Sequence, residues 1–289
     1  MTSTIVGKSG RIYIRREVLA ERRDPRLSVF KAEFVTQNLT YKIYFDRTKP
    51  FYNLSLRLAA DFPESRRLRM HVDSSEEENF LIYPFYQHTL LGLLQDDPEV
   101  SRAAQKRILQ ETGAAIQELH SKDWIHRGDF NLAFKFDTGA LLYNTRAVGN
   151  IMWRSPEGQT GRGLSKASDV YSFGLCIYTL GGREPILIND YPELAKHGVS
   201  PQHAVLTRHF SYFGPANQGL LNVINNKKWT KALTILSKET DLVVQDYPDM
   251  SFEAWGHVFG SGAQKMISGM TKIDPRARAT IGQVMEHPW

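Results

Sequence analysis

The amino-acid sequence predicts an α+β fold in which a smaller, mainly β part precedes a larger, mainly helical part. Apolar and polar residues alternate in several short runs before residue 84, which is the pattern of half-buried strands. From Pro98 onward, apolar residues recur every three to four positions, as they do in amphipathic helices. Hydrophobic residues make up 42% of the 289 positions, which is enough to fill the core of such a fold.

The first part is predicted to contain four strands and one helix. Alternating or continuous apolar patterns mark the strands at residues 12–15, 29–34, 39–45 and 80–83. Between the last two runs, Phe51, Leu54, Leu58 and Phe62 follow one another at steps of three to four and predict the helix. The segment Gly7-Lys8-Ser9-Gly10 predicts a turn before the first strand.

The second part is predicted to consist of helices separated by turns at Gly, Pro and Asn residues. Leu109, Thr112, Ile116 and Leu119 would line one face of a helix that ends near His120. The aromatic residues of the region 200–249 are predicted to belong to the core, with a docking surface as the alternative. They are Phe210, Tyr212, Phe213 and Trp229.

The composition and the net charge indicate which kinds of binding partner and which cellular compartment to expect. The net charge is +5, but the basic residues are spread along the chain, so a nucleic-acid partner is not expected. The only cysteine is Cys176, which excludes an intrachain disulfide and favours an intracellular location, either cytoplasmic or nuclear. No apolar run approaches the roughly 20 residues of a membrane span, so no membrane partner is expected either.

Two motifs in the middle of the chain suggest a family. Ser155-Pro156-Glu157 is followed, after a Gly-rich link, by Asp169-Val170-Tyr171-Ser172-Phe173-Gly174. This arrangement resembles the Ala-Pro-Glu segment and the following helix of the protein kinase superfamily. The chain also stops at His287-Pro288-Trp289, similar to the end of many kinase domains, and it looks closest to a divergent, fungal-like branch.

The resemblance implies a single two-lobed kinase-like domain covering residues 1–289. Its small, mainly β lobe with one helix would span residues 1–84, and its large, mainly helical lobe would span residues 85–289. The segment Tyr83-Pro84-Phe85-Tyr86-Gln87 resembles the hinge between the lobes of a kinase. The family uses ATP and Mg²⁺ and acts on protein substrates, so these are the ligands and partners that the resemblance implies.

Three residues match positions that hold ATP and metal in the family. Lys42 corresponds to the strand lysine that pairs with phosphates, and Asp61 stands where the family has its glutamate partner. A surface lysine on an alternating strand is the equally weighted alternative for Lys42. Asp129, in Gly128-Asp129-Phe130-Asn131, resembles the Asp of Asp-Phe-Gly that reaches Mg²⁺.

Three further residues match structural positions. Glu157 is expected to pair with Arg278, which lies in the motif Asp274-Pro275-Arg276-Ala277-Arg278-Ala279-Thr280. In the family, the residue at Asp169 accepts amide hydrogens from the catalytic loop. Because that loop is missing here, Asp169 is expected to cap its own helix instead.

The sequence departs from the family where the chemistry would occur. The three glycines of the phosphate loop would fall at Arg22, Asp24 and Leu27, none of which is glycine. After the correctly placed His126-Arg127, the chain continues directly with Gly128, and by comparison with the family roughly twenty residues are missing there.

The missing residues would include the catalytic Asp and the metal-binding Asn. If Asp129 itself served as the base of a His-Gly-Asp motif, an Asn would be required five residues later, where Phe134 stands. No catalytic residue is therefore assigned.

The function predicted from these observations is that of a catalytically impaired kinase-like protein, a pseudokinase or scaffold that binds a protein partner. The alternative is an active MgATP-dependent Ser/Thr kinase, if the gap between Arg127 and Gly128 is a gene-model or splice artefact. A pseudokinase that still binds nucleotide lies between these two hypotheses.

Overall fold

The chain forms two compact units, Met1–Asp97 and Pro98–Trp289. The computed structural model describes residues 4–21, 29–34, 39–45, 49–89, 92, 100–126, 133–135, 139–143, 147, 149–180 and 191–288. None of the helices within these residues combines the length and the apolar character that crossing a bilayer requires.

The first unit contains an antiparallel sheet and one long helix, α1 (Lys49–Asp61). The strands are β1 (Thr4–Val6), β2 (Ile12–Ala20), β3 (Val29–Phe34), β4 (Leu39–Phe45), β5 (Asp73–Ser75) and β6 (Phe80–Pro84). Among the described residues they are ordered β1-β2-β3-β4-β6-β5. The four strands and the helix predicted from apolar periodicity are therefore confirmed.

Alternation along the strands sends one set of side chains to the core of this unit. Tyr13, Ala32, Ile43, Phe80 and Ile82 are buried together on one face of the sheet. On α1, Tyr52 and Leu56 pack against Leu81 and Tyr83 of β6. The helix is thus attached to the sheet through its own apolar stripe.

Two strands of the sheet were not expected from the sequence. Strands β1 and β5 are each three residues long, which is too short for a periodic pattern to stand out. The Gly7–Gly10 turn connects β1 to β2, with the Gly10 amide donating to the Gly7 carbonyl at 2.9 Å. Gly10 has a φ of +80°, a conformation that favours glycine.

The second unit is mainly helical. Its helices are α2 (Arg102–Ser121), α3 (Pro156–Thr160), α4 (Lys166–Leu180), α5 (Tyr191–Lys196), α6 (Pro201–Phe213), α7 (Gln218–Ile224), α8 (Lys227–Asp246), α9 (Phe252–Trp255), α10 (Ser261–Met270) and α11 (Ile281–Met285). Its short strands are β7 (Trp124–Ile125), β8 (Phe134–Lys135), β9 (Leu142–Tyr143) and β10 (Arg162–Leu164). The α+β organisation predicted from the sequence, with a mainly β part before a mainly helical part, is confirmed.

Helix α2 confirms the prediction for the region before His120. Ser101 caps its N-terminus by accepting a hydrogen bond from the Ala104 amide, and Leu109 and Leu119 are buried on one face. The helix ends at Ser121, one residue after the position expected.

The core of the region 200–249 is formed by α6, α7 and α8. Leu206, Phe210, Leu220 and Leu233 are buried together, and partly buried aromatic residues pack around them. Two of these aromatic residues are Phe213 and Trp229. Tyr212 makes edge-to-face contacts with Phe213 and Trp255. The aromatic residues therefore belong to the core, as the sequence predicted.

Candidate functional site

Glu157 is placed by the N-terminus of helix α3. The Ser155 hydroxyl accepts a hydrogen bond from the Gly158 amide at 3.2 Å, and Pro156 occupies the first helical position. Both features are favourable helix starts, because the serine satisfies a free amide and the proline has none to satisfy. Glu157 therefore lies in the first turn of α3, where it is completely buried.

The structure brings Glu157 and Arg278 together across 121 residues of sequence. The two carboxylate oxygens accept from the two terminal nitrogens of the guanidinium, Oε1 from Nη1 at 2.7 Å and Oε2 from Nη2 at 2.9 Å. The Ser168 hydroxyl donates a further hydrogen bond to Oε1 at 2.7 Å. This is a bidentate pair, the strongest geometry for an arginine and a carboxylate.

The guanidinium of Arg278 has all five of its N–H groups paired. Besides Glu157, it donates to the carbonyl oxygens of Lys272 at 2.7 Å, Ala167 at 3.1 Å and Ile273 at 3.3 Å. The buried charge is therefore both neutralised and fully hydrogen-bonded, which is the condition under which a buried ion pair is tolerated.

The charge state of Glu157 follows from these contacts. Burial by itself raises the pKa of the carboxyl group. The positive charge of Arg278 and hydrogen bonds from Arg278, Ser155 and Ser168 outweigh burial and hold the pKa below its ordinary value. Glu157 is accordingly ionised at neutral pH.

Tyr171 and His209 extend this buried network. The Arg278 guanidinium lies 4.7 Å from the centre of the Tyr171 ring, in cation–π geometry. The Tyr171 hydroxyl is hydrogen-bonded to Nδ1 of His209 at 2.6 Å. Burial raises the pKa of Tyr171 well above its ordinary value and lowers the pKa of His209 to about 3, so both groups are neutral at pH 7. No pattern in the sequence distinguishes His209, which is one of two histidines in helix α6.

Asp169 does not cap its own helix, so that expectation was wrong. Helix α4 begins at Lys166, and the Ser165 hydroxyl accepts from the Ala167 amide at 3.3 Å. Because Ser165 serves the helix start, the Asp169 carboxylate is available for other donors. Its Oδ2 accepts from the backbone amide of His126 at 2.8 Å and lies 2.9 Å from Nε2 of His120. The aspartate thus keeps the amide contact that the family resemblance associates with this position.

His126, whose amide donates a hydrogen bond to Asp169, is the first residue of the connection between two short paired strands. Strands β7 and β8 pair antiparallel, with Trp124 opposite Lys135 and Ile125 opposite Phe134. The connection between them is residues 126–133, and it contains a single acidic residue, Asp129. Asp129 and its motif neighbours lie outside the described residues, so its role as a metal ligand stays a prediction.

Lys42 and Asp61 belong to the first unit. Lys42 lies in strand β4, where its backbone is opposite Lys31 of β3 and Tyr83 of β6. Asp61 is the last residue of α1 and is half-buried. The Lys42 side chain is outside the described part of the chain, as are Arg22, Asp24 and Leu27. The Lys42–Asp61 pair therefore stays a prediction.

Within the described residues, no group of three or more His, Cys, Asp or Glu side chains has the arrangement of a metal site. The acidic and histidine side chains that do meet, such as Asp169 and His120, are occupied with each other or with backbone amides. The described part of the second unit thus presents a paired structural network.

Comparison with known proteins identifies the family of this arrangement. The family model described as protein kinase domain matches residues 128–289, which is more than half of the chain. The match begins at Gly128, directly after Arg127, the position at which the sequence departs from the kinase pattern.

Three relatives illustrate the similarity. A probable serine/threonine-protein kinase of Dictyostelium discoideum is 31% identical over 143 residues, covering 42% of this chain and 9% of that protein. An L-type lectin-domain containing receptor kinase of Oryza sativa subsp. japonica is 32% identical over 136 residues, covering 38% and 20%. A serine/threonine-protein kinase of Candida albicans is 24% identical over 246 residues, covering 73% and 39%. This chain thus spans less than half the length of these relatives.

The alignments also carry information on length. The 143 aligned positions of the Dictyostelium kinase would be about half of the 289 residues, yet only 42% of this chain is covered. The 246 positions of the Candida kinase likewise exceed the 73% of the chain that they cover. Both relatives therefore have residues inside the aligned region that have no counterpart in this chain.

Proposed function

This chain belongs to the protein kinase family, and we propose that it is a catalytically impaired member whose function is to bind a protein partner. The proposal has one main support, the short connection between β7 and β8. Ile125 and Phe134 are paired in antiparallel strands, and only residues 126–133 lie between them in the sequence. In the family, roughly twenty further residues separate the start of the His-Arg-Asp motif from the Asp-Phe-Gly motif, whereas here Arg127 is followed directly by Gly128.

Phosphoryl transfer in protein kinases requires two separate carboxylates in this region. One accepts the proton of the substrate hydroxyl, and the other holds Mg²⁺. The connecting residues of the hairpin provide one, Asp129. Because a carboxylate that holds the metal is not available as the base, the hairpin lacks one of the two required groups. Loss of such a group costs many orders of magnitude in rate, since catalytic residues act as a unit.

The ATP and Mg²⁺ that the family uses do not fit well with the residues present. Strand β2 ends at Ala20 and β3 begins at Val29, and the residues between them include no glycine. Only glycine allows backbone amides to approach phosphate oxygens as closely as the family's loop does. MgATP, when bound to a kinase, supplies the phosphoryl group for transfer. Residual nucleotide binding in this chain would use Lys42 with Asp61, and residual metal binding would use Asp129.

The structural network of the second unit supports a role that depends on a folded surface. Glu157, Arg278 and Asp169 are all buried and paired. A buried ion pair is costly if either member is lost, so an intact network indicates that the fold of this unit is maintained. A binding module requires a maintained fold and does not require the catalytic carboxylate.

We extend the proposal to the organisation and location of the protein. Residues 1–289 act as one kinase-like domain, with a small lobe in residues 1–84 and a large lobe in residues 85–289. Its partner is a protein in the cytoplasm or the nucleus. The single cysteine, Cys176, supports the reducing compartment.

An active Ser/Thr kinase is the second candidate, and two observations favour it. The family match begins abruptly at Gly128, and the relatives fill aligned positions that this chain leaves empty. Both observations would follow if the natural protein contained a further segment between Arg127 and Gly128. That segment would carry the second carboxylate.

The experiment that separates the two candidates has two arms. The first incubates the purified 289-residue chain with MgATP and a general protein substrate and compares it with Asp129→Ala and with Glu193→Ala, a control at an exposed position. We expect no phosphoryl transfer above background in any of the three proteins. Transfer that is abolished by Asp129→Ala but kept in Glu193→Ala would overturn the proposal.

The second arm sequences the native transcript across the codons for residues 125–129. An uninterrupted junction supports the impaired module. Additional codons that encode a His-x-Asp motif and a downstream Asn would instead establish the active kinase as the better description.

A further inference from the structure

Helix α8 presents a second apolar side to solvent. Its inner side, with Leu233 and Leu236, is buried in the core of the second unit. On the opposite side, Ile235 and Leu242 are 49% and 55% exposed. These two residues are seven positions apart, so they lie above one another on the same side of the helix.

The charged residues on this outer side are separated by sign. Lys228, Lys231 and Lys238 precede the acidic residues along the helix. Glu239 and Asp246 occupy the C-terminal half. Asp249 follows directly after the end of the helix. All six are exposed, and at 100° per residue those in the helix lie within about 60° of Ile235.

This distribution of charge opposes the helix dipole. Acidic residues are favoured in the first turn of a helix and basic residues in the last turn. Helix α8 has no acidic residue in its first turn and no basic residue in its last turn. Interactions within the helix therefore do not account for this arrangement of charges. A partner that places carboxylates opposite the lysines and lysines opposite the carboxylates would account for it.

We propose that this surface binds a second copy of the same chain, with the two α8 helices antiparallel about a two-fold axis. If the axis passes between Lys238 and Glu239, Ile235 of each copy lies opposite Leu242 of the other. The same register places Lys231 opposite Asp246 and Lys228 opposite Asp249. Lys238 then meets Glu239 of the second copy.

The antiparallel register is specific because the alternatives are repulsive. A parallel pair of α8 helices would place lysines beside lysines and carboxylates beside carboxylates. The antiparallel pair places opposite charges together on both sides of an apolar centre, as a self-complementary two-fold interface requires. Only two large apolar residues per copy are covered, so we expect a reversible dimer that forms at about micromolar concentration.

Charge reversal tests the register directly. Lys231→Glu places two acidic groups opposite each other in the homodimer, and Asp246→Lys places two lysines there. Each variant alone is expected to be monomeric by sedimentation velocity at a concentration at which the unmodified chain is dimeric. An equimolar mixture of the two variants is expected to dimerise, because each copy then offers the charges that the other requires.

The matched control is Lys265→Glu, which changes the same charge at an exposed position on α10. It should leave the dimer unchanged. At a concentration low enough for every protein to be monomeric, circular dichroism should show the same thermal unfolding for all four proteins, because every changed residue is exposed. A monomeric unmodified chain at all concentrations up to hundreds of micromolar, or single variants that dimerise as well as the unmodified chain, would overturn the proposal.

The apolar centre provides an independent measurement. Leu242→Asp is expected to weaken dimerisation at least tenfold, whereas Val258→Asp, at an exposed valine elsewhere, is expected to leave it unchanged. Raising the salt concentration should also weaken the dimer, because the flanking ion pairs are exposed and screened. Dimerisation that is insensitive to Leu242→Asp would place the interface elsewhere and overturn the proposal.

Discussion

The buried centre around Glu157 and the hairpin formed by β7 and β8 lie in the same unit, but they differ in how complete they are. The Glu157–Arg278 pair has every donor of the guanidinium satisfied. The hairpin connection, by contrast, holds one acidic residue where the family chemistry requires two carboxylates. The two regions are joined at His126, whose amide is held by Asp169.

The two regions differ in how much folding free energy is lost when their residues are removed. A buried ion pair loses several kcal/mol when one member is removed, because the other charge remains desolvated. A shortened loop between two strands removes few buried contacts, and loop length itself changes stability only slowly. A kinase fold can therefore lose the hairpin residues and retain the centre, whereas the reverse would unfold the unit.

The largest effect is expected from removal of one member of the buried pair. Arg278→Met leaves the Glu157 carboxylate buried without its cation and should destabilise the protein by about 3–5 kcal/mol. Denaturant titration measures this change in the free energy of unfolding. The control is Arg276→Met, two residues away, where the side chain is 60% exposed.

A double variant sharpens this measurement. Glu157→Gln combined with Arg278→Met removes both charges, so it should cost less than the sum of the two single changes. Additive costs would mean that the two side chains do not interact energetically, and the comparison between the centre and the hairpin would lose its basis.

A smaller effect is expected where the two regions meet. Asp169→Ala leaves the His126 amide and the His120 imidazole without their acceptor and should cost about 1–3 kcal/mol. Hydrogen exchange at the His126 amide should become faster, and the free energy of opening calculated from its rate should fall by the same amount. Asp169→Asn retains an oxygen acceptor and should cost less; equal costs for the two variants would argue against the hydrogen bond to His126.

The sequence predicted the parts of the fold that carry a repeating pattern. Strands β2, β3 and β4 were predicted from alternation and β6 from a short apolar run, and the contact between Glu157 and Arg278 was expected from motif resemblance. The short strands β1 and β5 were missed, because three residues carry no measurable period.

The contacts missed at the site are tertiary. The position of Asp169 near the start of α4 suggested a cap, but Ser165 fills that role locally, and the carboxylate reaches His120 and His126. His209 was missed because its contact with Tyr171 depends on how α6 packs against α4. Neither contact is encoded by spacing along the chain.

His209 leads to a prediction on pH. Burial lowers its pKa to about 3 in the folded protein, whereas the unfolded chain has the ordinary value of 6.5. Between these values the unfolded state binds a proton that the folded state does not, so stability falls as pH decreases below 6.5. The slope from this residue is up to about 1.4 kcal/mol per pH unit.

The variant His209→Gln should flatten this slope. Glutamine stays neutral and still offers an oxygen to the Tyr171 hydroxyl. Urea titrations at pH 7.0, 6.0 and 5.0 measure the slope, and His197→Gln, at an exposed histidine, is the control. The pKa of His71 is also lowered by burial, so a residual slope of the same sign is expected in the variant. An unchanged slope would show that His209 is not the buried titrating group.

The smallest effect is expected from nucleotide. If the glycine-free loop binds ATP no tighter than millimolar, an ATP concentration equal to the dissociation constant stabilises the protein by only about 0.4 kcal/mol. This corresponds to a rise in melting temperature of about 1–2 °C for the whole chain.

Thermal unfolding with ATP, in the presence and absence of Mg²⁺, measures the shift for the unmodified chain and for Lys42→Ala. Lys31→Ala, at the residue opposite Lys42 on β3, is the matched control. A shift of many degrees that requires Mg²⁺ and is lost in Lys42→Ala but not in Lys31→Ala would mean that the first unit holds MgATP as an active kinase does. The proposed catalytic impairment would then rest on the connection between β7 and β8 alone.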